Sequence, residues 1–180
     1  NLLDLIVILG IAQGIIMAFV LWFKKGLSIS AKFLGVIFFT LSLGSFGVFL
    51  SQIDPEPTSA IYRWATRYIP FYLYMALGPS LLFMVQSLSD SSFSFNKNRK
   101  WHYAAMIYNL IPTLAWISAW LRYQLDLPQY DREAFIGFIN GFLIYGDMAY
   151  FIHLLIYTVI ARNYLRRQSL QKERKLNRII

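Results

Sequence analysis

Residues 134–161 read AFIGFINGFLIYGDMAYFIHLLIYTVIA and contain one charged side chain, Asp147. A bilayer core ~30 Å thick is crossed by about 20 helical residues, each rising ~1.5 Å, and this stretch exceeds that length. Hydrocarbon offers the backbone no hydrogen-bond partners. An apolar run this long therefore reads as an α-helix, which satisfies its peptide groups internally. Four charge-free runs precede it, at residues 5–23, 33–53, 68–89 and 101–121. The expected fold is all-α: a polytopic helical membrane bundle with five transmembrane helices at about 2–23, 33–51, 68–88, 102–120 and 135–161. Residues 162–180 follow as a basic helical tail.

Composition supports this reading from outside the runs. The chain is 57% hydrophobic and 14% charged, whereas a soluble domain carries about 25% charged residues. A soluble globule, a disordered chain and a disulfide scaffold are all excluded. With no cysteine, the chain can supply neither a thiol nucleophile nor the sulfur ligands of a zinc ribbon or iron–sulfur cluster. The first run is too long for the apolar segment of a signal peptide, and Lys24 and Lys25 follow it rather than precede it. It is expected to remain as a span.

The +8 net charge is distributed unevenly. Of the 17 Lys and Arg, all but Arg63, Arg67, Arg122 and Arg132 fall in the first loop, the third loop and the tail. The positive-inside rule then puts the amino terminus outside and the carboxyl terminus in the cytoplasm. The loops are short, which makes sequential spans antiparallel neighbours. In the second loop, Ile61, Trp64, Tyr68 and Tyr72 recur at helical spacing apart from Arg63 and Arg67. They are expected to form an interfacial turn leading into the third span.

Polar residues inside the runs are the candidates for function. Gln13 lies between Gly10 and Gly14, a small-xxx-small pair that admits a neighbouring backbone, so it is expected to hydrogen-bond across a helix interface. Gly78 and Pro79 in the third run, and Pro112 in the fourth, should kink their helices or act as hinges. Asn109 is placed near the backbone carbonyl that Pro112 frees. Asp147 is expected to face the bundle interior, because a mid-membrane charge costs a few kcal/mol. Asn140 and Tyr150 are read as its companions in a polar stripe, serving either as a structural network or as a sensing site. His153 is turned away from Asp147, and the only other histidine, His102, belongs to the far end of the fourth run, so haem ligation is not expected. No HExxH, GxSxG or phosphate-loop pattern is present. No enzyme activity, metal or cofactor is expected. Arg162, Arg166, Arg167, Lys172, Arg174, Lys175 and Arg178 form a tail that attracts anionic lipid and is suited to carry output from the bundle.

Several of these stretches resemble the membrane sensor half of bacterial AraC-type transcription regulators. Gly10, Gln13 and Gly14 match that family's GxxQG opening. Leu77, Gly78, Pro79, Leu81 and Phe83, followed by Ser87 and Leu88, resemble its LGPxLxF…SL third span. His102, Asn109 and Leu110 are similar to its HxxP…NL fourth span, with Ala105 in place of the proline, and the basic exit 157–167 also fits. The resemblance covers most of the 180 residues. It implies a multi-span sensor in the bacterial inner membrane, in a protein whose helix-turn-helix domain follows two further spans. No stretch here resembles a helix-turn-helix, so nucleic acid contact is not carried over to these residues. The rival expectation is an accessory subunit packed against a larger membrane complex, with a channel or transporter third. The expected partners are the lipid bilayer and either a second copy or a larger complex.

Overall fold

The computed structural model describes residues 2–53, 73–90 and 92–176. The expected interfacial turn in the second loop, the start of the third expected span and Arg178 lie outside these residues. Among the described residues the chain is helical, without strands. The main helices are α1 (Leu2–Phe23), α2 (Ile29–Ile53), α3 (Leu77–Ser89), α4 (Met106–Gln124) and α5 (Arg132–Leu176). Among the described residues, four stretches are long and apolar enough to cross a bilayer: Leu2–Phe23, Ile29–Leu50, Lys97–Gln124 and Arg132–Leu170. The described part of the third expected span is α3, whose 13 residues rise only about 20 Å.

Local chemistry sets several of the helix ends. The Ser28 hydroxyl, Asn96 Oδ1 and Asp131 Oδ1 accept from the backbone N–H groups of Ala31, Arg99 and Ala134, capping three helix starts. Gly26 has φ +83° just after α1, a left-handed conformation that glycine adopts without a Cβ penalty. A single helical turn, Lys97–Lys100, and a 3-10 segment, Trp101–Ala105, lead without interruption into α4. α4 itself continues through Pro112.

The packing order is not the sequence order. α1 packs on α2, α2 packs on α3, and α3 then takes α5 as its other neighbour. α4 lies at the margin and buries none of its residues. The expectation that short loops make every consecutive pair neighbours is therefore corrected for α4. The physical reason is side-chain size at the crossings. Gly78 of α3 accepts the Tyr157 ring of α5, where a Cβ would lie 2.9 Å from the ring. α4 meets α5 through rings instead, as with Tyr108 and Phe142 at 4.3 Å between centroids. The buried core of Phe33, Leu82, Phe83, Tyr157 and Ala161 lies at the end bearing Lys32 and Lys97, hereafter the basic end.

Candidate functional site

At the basic end, α3, the lead-in to α4 and α5 meet in a seam of aromatic and polar side chains. Phe83 is its hub and is 1% exposed. Its ring contacts Phe33, Phe95, His102 and Tyr103 at centroid distances of 5.5, 5.6, 5.4 and 6.0 Å. These tilted and edge-on arrangements suit the ring quadrupoles. Two hydrogen bonds bind the polar tips. Ser80 Oγ and Tyr103 Oη are 2.9 Å apart, and His102 Nδ1 and Tyr157 Oη share a hydrogen at 2.6 Å. The hydroxyls of Tyr103 and Tyr157 are thus satisfied within a mostly apolar cluster, where an unpaired one would cost about 1–3 kcal/mol.

Tyr157 is the residue that joins α5 to this seam. Its ring lies over Gly78, its hydroxyl reaches His102, and one face meets the His153 ring at 4.7 Å. The two histidines, which the sequence separates in depth, therefore lean on the same tyrosine ring. His153 Nδ1 is enclosed and makes no hydrogen bond among the described residues. Tyr150, two turns earlier, packs on Tyr74 at 4.9 Å. One face of α5, carrying Tyr150, His153, Tyr157 and Ala161, is thus fastened to α3 and the turn before it.

That turn accounts for two further residues. Tyr74–Ala76 is a 3-10 turn, and α3 starts at Leu77. Pro79 stands in the first turn of α3, where a backbone N–H has no intrahelical partner to lose. In the described residues it opens a helix. Asn109 does not serve the carbonyl freed by Pro112. Its Oδ1 accepts from the Met75 N–H at 3.1 Å, satisfying a donor at that opening. Pro79 and Asn109, read separately in the sequence, belong to one feature.

Three expectations are corrected. Gln13 is exposed and makes no hydrogen bond among the described residues. The interface of α1 runs through Ile11, Gly14 and Ala18, and Gln13 is turned about 100° from Gly14. Gly14 does approach α2 at Ser42, whereas Gly10 has open space around it. Asp147 is exposed on α5 and does not face the bundle interior. Asn140 is exposed as well, so no stripe of Asn140, Asp147 and Tyr150 forms: Tyr150 turns inward and the other two outward. The inward positions of α5 are taken by aromatic rings, Tyr157 against Gly78 of α3 and Tyr150 against Tyr74 of the turn before it. Among the described residues, no group of three His, Cys, Asp or Glu could hold a metal ion.

The sequence alone does not mark Ser80, Tyr103 and Tyr157 as members of the site. Only their small or amphipathic character inside apolar runs signalled them. Nor does it mark Asp90, beyond the end of α3. The hydroxyl of Ser92 and its backbone N–H donate to Asp90 Oδ1 at 2.6 and 2.9 Å and hold this carboxyl below its ordinary pKa.

At the opposite end of α4 and α5, Tyr130 lies across the gap. Its hydroxyl is 3.1 Å from Ser118 Oγ, and Arg122 lies over its ring at 4.7 Å. A cleft of about 360 Å³ lined by Ala115, Ser118, Tyr130, Ala134, Phe135 and Phe138 opens beside it. Comparison with known proteins finds no matching family model, no matching curated protein and no matching solved structure.

Proposed function

We infer that the chain is a membrane-embedded signal-transduction module in a bacterial inner membrane, with its amino terminus outside and its output leaving through the end of α5. The resemblance in its motifs extends this reading to a membrane-bound transcription regulator whose DNA-binding domain lies outside these residues. One observation carries the inference. α5 is a single helix of 45 residues, about 67 Å long, that runs from Arg132 through the whole apolar zone and past Arg162. It is fastened on one face at Tyr150 and Tyr157 and is largely free on the other. A helix held at one seam and continuous beyond it transmits a tilt or rotation of the bundle to whatever follows. A stimulus drives such motion only by binding two arrangements of the bundle differently.

The test is a Gly-Gly insertion after Asn163 in the full-length protein. It rotates the following segment by about 200° and weakens the helix by about 1 kcal/mol per glycine. Insertion into the membrane is expected to survive, and a reporter under the regulator's control is expected to lose its response to the stimulus. A response of unchanged size and sensitivity would reject the lever.

The second reading, an accessory subunit in a larger membrane complex, is favoured by the outward position of Asp147. The intact mass of the native polypeptide separates the two. A mass well above 21.0 kDa supports the regulator, and a mass near it supports the subunit.

A further inference from the structure

We propose that the outward face of α5 is the docking surface for a membrane-spanning helix of a different protein that carries a lysine or arginine at mid-span. Asp147 stands fourteen residues after Glu133 and fifteen before Arg162, the nearest charges on either side along α5. It is therefore at the centre of the apolar zone. It is exposed there, beside Ile144, Met148 and Phe151, which are 66%, 61% and 68% exposed. A carboxylate at that depth in contact with lipid is costly and is normally covered by protein that answers it. Among the described residues nothing pairs with it. The chain's own apolar runs supply no complement, since residues 5–23, 33–53, 68–89, 101–121 and 134–161 hold no Lys or Arg. A second copy in the same orientation would set Asp147 against Asp147 and bring no cation to it. The complementary charge lies outside these runs.

The surface around Asp147 fits such a helix. At 100° per residue, Asn140, Gly141, Ile144, Asp147, Met148 and Phe151 fall within an arc of about 120°, the width one helix presents to another. Nothing lies within 4 Å of where a Cβ would stand on Gly137 or Gly141, so a partner backbone can approach there closely. Asn140 offers a second hydrogen-bonding group two turns away on the same side. The inference goes beyond the output reading and does not depend on it, because it concerns the face of α5 opposite the seam.

The probe is a synthetic polyleucine membrane-spanning peptide with one central lysine. Its association with these 180 residues in phosphatidylcholine vesicles is read by energy transfer from a dye on Ser169→Cys, the only thiol they then hold. A control peptide carries leucine in place of the lysine. The lysine peptide is expected to bind about tenfold tighter than the control, the size of one interhelical polar contact in a membrane. Asp147→Asn, an exposed change that leaves the fold intact, is expected to abolish the preference, and Asp147→Glu to keep it. Gly141→Ile is expected to weaken binding of the lysine peptide while the charge remains. Equal binding of the two peptides by the wild-type chain would overturn the proposal. So would unchanged binding in Gly141→Ile, or self-association that Asp147→Asn removes, which would give the face to a second copy. None of these results alters the response to the Gly-Gly insertion, so the two readings fail separately.

Discussion

Two helical pairs in this chain are joined by short connections, α1 with α2 through residues 24–28 and α4 with α5 through residues 125–131. They pack in opposite ways. The first pair closes along its length because small residues let the backbones meet. Gly14 stands against Ser42, and a Cβ on Gly35 would lie 2.7 Å from Trp22 Nε1 and 3.2 Å from the Ala18 carbonyl oxygen. Trp22 then donates to the Lys32 carbonyl at 3.1 Å. The second pair is held apart by its rings, with Trp116 against Phe135 at 4.9 Å and Tyr108 against Phe142. A cleft remains between the two helices. A short loop therefore brings two helices near each other, and the size of the facing residues decides whether they touch. The tight pair has the character of a fixed base, and the open pair includes the helix to which we assign output.

The largest expected effect comes from filling the tight pair. Gly35→Leu would drive a side chain into the Trp22 ring and the backbone behind it, costing about 1–3 kcal/mol by overpacking. In the open pair, Gly146 has Tyr108 no closer than 3.7 Å to a built Cβ. Gly146→Ala is expected to be neutral or to stabilise by up to about 1 kcal/mol through helix propensity. Unfolding in mixed micelles against a denaturing detergent would measure both. Equal costs would mean that the two pairs are packed alike.

The seam separates the two pairs and is tested next. Gly78→Ala forces the Tyr157 ring off α3, because the nearest ring atoms are at the root of the side chain. It is expected to cost about 1–3 kcal/mol and to release His102 from its hydrogen bond, visible as a change in the His102 imidazole signals by NMR. Tyr157→Phe keeps the ring over Gly78 and removes only the hydroxyl, so a smaller loss of about 1 kcal/mol is expected. If Tyr157→Phe cost as much as Gly78→Ala, the hydrogen bond and not the ring packing would fasten α5. Asn109→Leu leaves the Met75 N–H without its acceptor and is expected to cost about 1–2 kcal/mol.

These residues also show what could be read beforehand. The apolar runs gave the helices because length and lack of charge are properties of single segments. Gly14 was readable as a close-approach position because its role follows from its own size. The partners of Asn109 and Tyr157 were not readable, since each bond joins residues that are 34 and 55 positions apart. Helical periodicity gives a residue's angle on its own helix and says nothing about which neighbour arrives there. Asp147 shows the same limit from the other side. The general cost of a charge in hydrocarbon argued for an inward position, yet the ring-to-glycine fit between α5 and α3 set the rotation of α5 and left Asp147 outward. The cost of that charge is a reason for a partner and does not fix which way the helix turns.

The two connections themselves hold the smallest expected effect, that of a change at Asp126. In the first, Gly26 has φ +83°, and in the second, Asp126 has φ +50°. Both are left-handed positions following a helix end, but only one is filled by the residue type that adopts the conformation freely. After α4 the backbone closes with Leu127 N–H donating to the Arg122 carbonyl at 2.9 Å and Asp126 N–H to the Tyr123 carbonyl at 3.5 Å. This is the paired closure that puts a left-handed residue just after a helix. Gly26→Ala therefore adds a Cβ where L-residues pay about 1–2 kcal/mol, even though no neighbouring atom lies within 4 Å of it. Asp126→Gly does the reverse and relieves strain in the folded state. Asp tolerates this conformation better than most residues, and glycine loses more chain entropy on folding, so the net gain is expected to be at most about 0.5 kcal/mol. Measured in the same micelle titration, the two substitutions should have opposite signs. A loss of stability in Asp126→Gly would mean that the Asp126 side chain holds the second connection, and the looseness of the α4 and α5 pair would then have to be traced to the rings alone.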